Sequence, residues 1–528
     1  MKYGFVIDNR KCIGCHACTV ACKSEHDVAI GVNRTWVKQT EKGEFPHSRR
    51  VFSVLRCNHC TDAPCVEICP VEALFIREDG IVDFNNDRCI GCKSCMQACP
   101  YDSLYIDPKT NTAAKCNYCA HRIDIGLEPA CVVVCPEEAI VSGDMENPDS
   151  KISELISRQQ VSVRKPEKST KPNLYYVNGD QTSLSPQATD RSDQYLWNSQ
   201  AGGVGHYAKY AQEKSAGKSY EQLAGQLSGQ DNNKKPIEAL MGNANAKRVY
   251  DTPDKGILWG WEVSGYVATK AVSAGIFLVF FLNKMLGGVA FGQTTLLAGG
   301  IAGLVFLMLT GALLIKDLDQ PKRFLNVLLR PQWNSWLVRG GYFITLYGGL
   351  LTLWVAAIYM DWHALADISF YITAFVAVLV AIYTAFLFAQ AKGRDFWQSP
   401  ALALHMVIHS LMGGAAFIML WQTMAGENTG LSYHILAVSL AINLIVVFIE
   451  LFMPHPTEDA KRVAGMILSG RYKVQFWLVT VFIGNVIPLA LYFTGIPVLL
   501  PVAAVLSLIG LYYANKIWIE APQRISLT

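Results

Sequence analysis

Cysteine is the residue type whose number and spacing in this chain could most readily do chemistry. All 16 cysteines of the 528 residues lie between Cys12 and Cys135. They form four groups of four: Cys12, Cys15, Cys18 and Cys22; Cys57, Cys60, Cys65 and Cys69; Cys89, Cys92, Cys95 and Cys99; and Cys116, Cys119, Cys131 and Cys135. Thiolates crowded in this way indicate metal ligation, because cysteine sulfur is a favoured ligand of iron and of zinc.

The spacing within the groups favours one of these metals. The first and third groups have the run C-x2-C-x2-C-x3-C, which in bacterial ferredoxins directs three thiolates to one [4Fe-4S] cluster and the fourth to a neighbouring cluster. The other two groups lengthen the middle spacer, as a loop insertion would. Zinc sites usually combine two C-x2-C pairs across a longer spacer, and disulfides are typical of exported proteins, so both are alternatives. At four thiolates per cluster, we predict four [4Fe-4S] clusters.

The elements that must position these residues change character along the chain. The cysteine groups lie within residues 1–190, and we predict an electron-transfer domain there. Residues 191–255 are polar, with stretches such as SGQDNNKK and GNANAK, and are predicted to be a linker and docking segment. From residue 256 to 528 the chain consists of successive apolar runs, which predict a membrane domain.

Eight apolar runs are each close to the roughly 20 residues with which a helix crosses a bilayer. They are 257–281, 290–314, 340–360, 368–391, 401–425, 434–453, 475–495 and 498–516. Because the number is even, both flanks lie on one face of the membrane. The opposite loops offer only Lys284, whereas the first face receives Arg248, Lys255, Lys316, Lys322, Arg323, Arg330, Arg339, Lys392, Arg394, Lys461, Arg462, Arg471, Lys473, Lys516 and Arg524.

This charge bias predicts the orientation of the protein. By the positive-inside rule, the cluster domain faces the cytoplasm and the chain is a multi-pass protein of the inner cell membrane. The opening sequence MKYGFVIDNRKC agrees, since no apolar run of a signal peptide precedes the first cysteine group. The alternative is that the basic loops dock a cluster domain on the outer face. The formal net charge of +3, without a basic patch, argues against a nucleic-acid partner.

The four cysteine groups, with NLYYVNGDQTSLSP after them, resemble the iron–sulfur electron-transfer subunit of the dimethyl-sulfoxide-reductase type of molybdenum enzymes. The resemblance covers residues 1 to about 190. It implies that the first group shares its clusters with the fourth, and the second with the third. The implied ligand sets are Cys12, Cys15, Cys18 with Cys135; Cys116, Cys119, Cys131 with Cys22; Cys57, Cys60, Cys65 with Cys99; and Cys89, Cys92, Cys95 with Cys69.

The segments YDTPDKGILWGWEVSGYVATKAVSAG and KDLDQPKRFLNVLLRPQWNSW resemble the polysulfide-reductase-type (NrfD-like) membrane anchor, over roughly residues 250–520. Such anchors exchange electrons with quinones and lack haem. The resemblance therefore implies menaquinone or ubiquinone as an exchangeable substrate.

Ionisable side chains inside the apolar runs are costly in a bilayer and are candidates for a quinone site. Glu262, Tyr266 and Lys270 follow one another at four-residue steps and share one helix face, and His405 and His409 do the same in the fifth run. Quinol oxidation releases protons, which such groups could accept near a cluster. The alternative is that they only hydrogen-bond between helices. Further candidates on the same side of the membrane are Asp317, Asp319, Arg323 and Glu450.

Two histidines in one span also raise the alternative of a b-type haem. Axial ligands approach the iron from opposite sides, whereas His405 and His409 share a helix face and His434 lies at the opposite membrane boundary. No haem is therefore expected.

The predicted fold class is an α+β bacterial-ferredoxin-type iron–sulfur domain followed by an all-α polytopic membrane domain of eight transmembrane helices. The predicted function is the electron-transfer and membrane-anchor subunit of a respiratory oxidoreductase. Substrate catalysis would lie on a separate subunit with molybdenum or tungsten bis-pterin, since no substrate-catalytic motif is found on this chain. The alternatives are the equivalent subunit of a hydrogenase or other redox complex, and a redox-driven membrane pump.

Overall fold

The computed structural model describes residues 1–43, 47–189, 246–288, 290–427 and 429–528. Most of the predicted linker, 191–255, lies outside these described residues. Its last part, Ala246–Tyr250, is a β-strand that belongs to the cluster domain.

Within the described ranges, eleven strands build the cluster domain. They are β1 Tyr3–Asp8, β2 Thr35–Lys42, β3 Arg49–Arg56, β4 Leu74–Ile76, β5 Val82–Phe84, β6 Leu104–Asp107, β7 Thr112–Lys115, β8 Ile140–Asp144, β9 Val161–Ser162, β10 Leu174–Val177 and β11 Ala246–Tyr250. One sheet has the order β8-β1-β10-β9, with β1 parallel to β10, and a second, antiparallel sheet has the order β11-β2-β3. The pairs β4-β5 and β6-β7 are separate two-stranded sheets.

Short helices connect these strands, and several of them begin inside or beside a cysteine group. They are α1 Ala17–Glu25, α2 Pro64–Glu67, α3 Ser94–Ala98, α4 Ala120–Ile123, α5 Ala130–Val133, α6 Lys151–Arg158 and α7 Gln181–Leu184. The two full cysteine motifs share one backbone feature, since Gly14 and Gly91 both have a φ of +71°. A side chain would be strained at both positions, and it would also collide with Phe52 at Gly14 and with Asp319 at Gly91.

In the part of the membrane domain that the structure describes, eight helices are long and apolar enough to cross a bilayer. Seven are continuous: α8 Trp261–Met285, α9 Gln293–Lys316, α11 Trp336–Tyr359, α12 His363–Gln390, α13 Leu402–Ala425, α14 Gly430–Phe452 and α17 Leu500–Gln523. The seventh span joins a π-helical segment, Gln475–Val486, to α16, Ile487–Thr494. Two shorter helices lie between spans: α10, Asn326–Leu329, and α15, Glu458–Leu468.

The predicted fold class and the eight spans are confirmed, with shifts at the helix ends. The largest shift is at α17, which continues to Gln523 instead of ending at residue 516. The reason is tertiary, because the end of α17 leaves the apolar region and contacts the cluster domain. There the Gln97 side-chain amide donates to Gln523 Oε1 at 2.6 Å.

The two domains meet through side chains at this same end of the helices. Lys255 pairs with Asp102 at 2.7 Å, and Arg394 Nε donates to Gln97 Oε1 at 2.9 Å. These groups lie at 15 % exposure or less, so water screens them little. The contact holds one edge of the cluster domain against the membrane domain.

Helix α8 lies at the centre of the membrane domain and packs against α9, α12, α13 and α17. Its crossing with α13 is closest at Gly275 and Gly414, where a Cβ on Gly275 would lie 1.7 Å from the Ser410 carbonyl oxygen. Small residues permit this approach, as they commonly do between membrane helices.

This crossing predicts a large effect from one methyl group. Gly275→Ala should destabilise the protein by about 1–3 kcal/mol, since the added carbon must push α8 and α13 apart. Thermal unfolding of the detergent-purified chain measures the effect. The matched control is Gly311→Ala in α9, where a Cβ would meet nothing within 4 Å; it should be neutral or stabilising by up to about 1 kcal/mol. Equal melting temperatures for the two variants would contradict the prediction.

Candidate metal centres and quinone site

Four sets of cysteines come together in the cluster domain. Three of them line one cavity each, and these sets are site 1 (Cys12, Cys15, Cys18, Cys135), site 3 (Cys57, Cys60, Cys65, Cys99) and site 4 (Cys69, Cys89, Cys92, Cys95). In the remaining set, site 2, Cys22 lies within electrostatic range of Cys116, Cys119 and Cys131. These are the same sets that the family resemblance implies, with each fourth cysteine supplied by a distant group.

The arrangement suits clusters better than single metal ions. A zinc ion with four thiolates at about 2.3 Å requires sulfur atoms about 3.8 Å apart. Among the residues that the structure describes, no group of three or more His, Cys, Asp or Glu side chains is arranged to hold one metal ion. The cysteines of sites 1, 3 and 4 instead surround a cavity, as the corners of a [4Fe-4S] cube require.

The surroundings of the sulfur atoms also fit bound clusters. Burial raises the pKa of the Cys18 thiol to about 11 and that of Cys92 to about 12, so a bare thiolate would be costly there and iron offsets that cost. Backbone amides donate to the sulfur atoms of two crossing cysteines, Ala73 to Cys69 and Ala139 to Cys135, each at 3.2 Å. Hydrogen bonds of this kind tune the reduction potential of a cluster.

Two cationic groups and one imidazole lie beside the sulfur atoms, and sequence reasoning did not single them out. The buried Arg56 guanidinium donates to Cys131 Sγ at 2.9 Å. Lys115 is fully buried and lies within electrostatic range of Cys57. His26 Nε2 lies 3.1 Å from Cys119 Sγ, and burial lowers the pKa of this histidine to about 4, so its ring is neutral. Only the folded chain brings these groups to the cysteines.

The four sites form a line. Cys18 of site 1 lies within electrostatic range of Cys131 of site 2, and Cys116 of site 2 lies within that range of Cys57 of site 3. Cys65 of site 3 is in turn near Cys95 of site 4. Site 1 is the most open, since Cys15 is exposed. Sites 1 and 4 are therefore the two ends of the line.

Site 4 lies against the membrane domain. The segment after α9 contacts the cysteine loop through its backbone, with the amides of Asp319 and Gln320 facing the carbonyls of Gly91 and Ile90 at 3.4 and 3.1 Å. The Trp259 indole N–H, just before α8, donates to the Cys92 carbonyl at 3.1 Å. The two segments on which the membrane-anchor resemblance was based are thus the segments that hold site 4.

Arg323, expected at the quinone site, takes part in this contact. Its Nη1 donates to the carbonyls of Asn86 and Cys89 at 2.6 and 3.0 Å. Lys93, within the cysteine loop, reaches in the other direction: its Nζ donates to the Asp317 carbonyl at 2.8 Å and lies 3.2 Å from Asp319 Oδ1.

A group of polar residues lies next to site 4, at the ends of α8 and α9. Glu262 is half-buried in the first turn of α8 and acts electrostatically on Asp317. Burial raises the pKa of Asp317 to about 7; Lys93 opposes this shift and Glu262 adds to it. Asp317 can therefore gain or lose a proton near neutral pH. Tyr266, one turn deeper in α8, is buried near Asp317 and near Tyr383 of α12.

Lys270 is fully buried one further turn along α8. Its Nζ donates to Thr384 Oγ1 at 2.5 Å and to the Ala381 carbonyl at 3.3 Å, and it lies 4.4 Å from the centre of the Tyr383 ring. Its surroundings thus include a hydroxyl, a carbonyl and an aromatic face on α12. Tyr383 contacts this group from α12 and was not predicted, since an isolated tyrosine in an apolar run gives no sequence signal.

The two histidines form a second polar group on other helices. His405 Nδ1 lies 2.7 Å from Glu450 Oε2 of α14, and His405 Nε2 lies 2.8 Å from His409 Nε2. Trp518 of α17 also donates to Glu450 Oε2, at 3.2 Å. The two histidine Nε2 atoms therefore face each other.

Comparisons with known proteins agree with the two-part organisation. A family model described as polysulphide reductase, NrfD, matches residues 252–519, and two models of 4Fe-4S dicluster domains match residues 49–145 and 5–70. A subunit of the tetrathionate reductase of Salmonella typhimurium is 43% identical over 201 residues, which are 37% of this chain and 80% of that protein.

Two further relatives have similar coverage. One chain of the polysulfide reductase of Wolinella succinogenes is 42% identical over 181 residues, 33% of this chain and 94% of its own length. The arsenate respiratory reductase iron–sulfur subunit of a Shewanella species is 35% identical over 225 residues, 34% of this chain and 96% of its own length. The chain therefore belongs to the polysulphide reductase NrfD family, joined in one polypeptide to 4Fe-4S dicluster domains, and is a multi-pass iron–sulfur electron-transfer subunit of an oxidoreductase complex.

Proposed function

We propose that this chain carries electrons between a separate catalytic subunit and membrane quinone, and that the catalytic subunit holds molybdenum or tungsten on bis-pterin. The observation that carries the proposal is the contact of Lys93, in the loop of site 4, with Asp317, which lies near Glu262 and Tyr266. It brings the last cysteine site of the line next to groups that can exchange protons. When bound, [4Fe-4S] clusters pass single electrons and leave proton chemistry to the protein.

The proposed ligands are the cysteines of sites 1 to 4, with one [4Fe-4S] cluster at each site. At the membrane end, the chain supplies what a quinone head group needs. Asp317 and Glu262 accept or return the quinone protons, and the hydroxyls of Tyr266 and Tyr383 hydrogen-bond the quinone oxygens. Glu262 is half-buried in the first turn of its helix, and quinone is proposed to reach it from the lipid. Haem is not part of the proposal, since the Nε2 atoms of His405 and His409 are hydrogen-bonded to each other.

The catalytic subunit is proposed to dock over sites 1 and 2. Large apolar side chains are exposed there, with Ile13 at 56 %, Val20 at 65 % and Val133 at 59 %. Helices α1 and α5, which carry Val20 and Val133, pack together beside the exposed Cys15. An apolar surface around the open end of the line suits a subunit that exchanges electrons with it.

The cluster domain is proposed to lie on the cytoplasmic face. Some of the basic residues that suggested this orientation are used to dock the cluster domain, among them Lys255, Arg323 and Arg394. Others remain exposed at the same end of the helices and support the positive-inside argument. These exposed residues are Lys322, Arg330, Lys461, Arg471 and Lys473.

The composition of the complex tests the proposed function as a whole. A complex purified through a tag on this chain should contain at least about sixteen iron atoms per chain, four for each cluster, together with molybdenum or tungsten on the largest partner. Elemental analysis and mass spectrometry measure both. Nickel without molybdenum or tungsten would indicate a hydrogenase-type partner, and zinc in place of iron would contradict the cluster assignment.

The quinone site predicts a selective loss of one activity. Glu262→Gln and Asp317→Asn should each slow quinol oxidation by about 10²-fold, because the proton acceptor is lost, while transfer from the clusters to an artificial dye stays unchanged. Since the pKa of Asp317 is raised to about 7, its basic form appears as pH increases. Wild-type quinol oxidation should therefore rise through about pH 7, and Asp317→Asn should lose this rise. The control is Glu458→Gln at the exposed start of α15; equal quinol kinetics in all variants would remove both residues from the site.

The orientation predicts which engineered cysteine is accessible. Arg330→Cys, at the cluster end, should react with a membrane-impermeant maleimide only after the cells are opened. Lys284→Cys, at the opposite end, should react in intact cells and serves as the control. The reverse labelling pattern would place the cluster domain on the outer face.

A further inference from the structure

A chain of buried polar side chains runs into the membrane domain, apart from the residues assigned to the quinone. It consists of Glu450 on α14, His405 and His409 on α13, and Asn515 on α17. The two histidines and Asn515 are each 2 % exposed, and Glu450 is 8 % exposed. A simple bridge between helices needs one hydrogen bond, whereas this chain links three helices through consecutive ionisable groups.

The hydrogen bonds of the chain determine how many protons it holds. The Asn515 Nδ2 donates to the Leu511 carbonyl at 2.9 Å, so its Oδ1 is the atom that faces His409 Nδ1 at 3.4 Å. An amide oxygen only accepts, so His409 Nδ1 carries a hydrogen, and the Nε2 of a neutral His409 ring must accept. The facing atom, His405 Nε2 at 2.8 Å, is therefore the donor.

The remaining contact holds the extra proton. His405 Nδ1 and Glu450 Oε2, 2.7 Å apart, need one hydrogen between them. It resides either on the imidazole, giving an ion pair, or on the carboxyl, giving two neutral groups. In both cases the group holds one proton more than a glutamate anion with two neutral histidines. Loss of that proton would leave His405 Nδ1 and the Glu450 carboxylate facing each other without a hydrogen between them.

The open end of the chain is at Glu450. Its second oxygen, Oε1, is buried and has no hydrogen-bond partner within the part of the protein that the structure describes. Within the same residues, no other ionisable side chain forms a hydrogen bond or ion pair with this group; the remaining partner of Glu450 is the Trp518 indole. An unpartnered carboxylate oxygen is the atom at which a proton or a water molecule would arrive.

The other end continues toward the middle of the membrane. Asn443 of α14 lies beside His409 and donates to Asn485 Oδ1 at 2.9 Å, and Asn485 donates to the Thr480 carbonyl at 2.7 Å. Asn443 is seven residues from Glu450, or about 10 Å deeper along the helix. Thr480 and Asn485 lie in the π-helical segment, a feature that often marks functional positions.

We propose that Glu450, His405 and His409 form a binding site for one exchangeable proton, which is the cluster-side entrance of a proton path into the membrane domain. A proton enters at Glu450 Oε1, a proton passes from Glu450 Oε2 to His405 Nδ1, and His405 gives the hydrogen on its Nε2 to His409 Nε2. His409 then holds the proton as an imidazolium, with its Nδ1 hydrogen directed at Asn515 Oδ1. No electrons are exchanged in these steps. The reaction that drives the proton is the proposed quinone chemistry, so this inference rests on the proposed function.

Proton movement across vesicles tests the inference. The purified complex is reconstituted in lipid vesicles that contain a pH-sensitive dye, with the cluster domain outward, and is turned over with a quinol analogue. The quinone group lies at the cluster end, so quinone chemistry alone changes only the outer pH. We expect an interior pH change in the wild type, and its loss in Glu450→Gln and His405→Gln at an unchanged rate of electron transfer. His434→Gln, at the opposite end of α14, should behave as the wild type.

Each outcome of this experiment supports or overturns the inference. An absent interior pH change in the wild type, or an equal change in the wild type and both variants, would overturn the inference. If the wild-type complex does not turn over quinol, the proposed function fails, and an infrared pH titration of the unreacted complex decides the inference instead. The difference between the wild-type titration and that of Glu450→Gln should contain a carboxyl signal and an imidazole signal that are sensitive to deuterium, whereas the difference between wild type and His434→Gln should lack both. The same titration decides the inference if either variant fails to assemble for turnover. Absence of these difference signals would overturn the inference.

Discussion

The contact between the Cys89–Cys95 loop and the segment after α9 is the interaction on which the rest of the arrangement depends. The rate of electron transfer falls steeply with distance, so an electron-carrying domain is useful to a membrane domain only if its last site is held against it. Here backbone groups of Gly91 and Ile90 face those of Asp319 and Gln320, and the side chains of Lys93 and Arg323 add hydrogen bonds across the same contact. Gly91 permits the approach, since a Cβ there would lie 2.6 Å from Asp319.

The same contact places acidic groups in a poorly hydrated position. Lys93 is a short distance from both Asp317 and Asp319, and it offsets part of the cost of burying them. Asp317 nevertheless remains easier to protonate than a solvent-exposed aspartate. The docking of the two domains therefore also prepares a proton-exchanging group beside the last cysteine site. The Cys89–Cys95 loop therefore both joins the two domains and contacts Asp317.

The two polar groups of the membrane domain differ in the partners of their buried ionisable side chains. Beside site 4, the carboxyl groups of Asp317 and Asp319 face Lys93 of the other domain, so the charge state of this group depends on docking. The Glu450 and histidine group lies within the helices of the membrane domain and forms its own hydrogen-bonded chain. Lys270 has a third kind of surroundings, since a hydroxyl, a carbonyl and the Tyr383 ring lie around its Nζ atom. The helices thus carry ionisable groups with separate partners.

Local spacing in the sequence was sufficient for the cysteine groups, the eight spans and the shared face of Glu262, Tyr266 and Lys270, because ligand loops and helices have fixed short periods. The crossed sets, such as Cys135 with Cys12, were available only through a family resemblance, since they join residues that lie far apart in the sequence. Tertiary structure alone decided the order of the four sites, the docking role of Arg323, the place of Tyr383 and the pairing of His405 with Glu450. Each of these depends on which surfaces pack together, and neither spacing nor residue type specifies that packing.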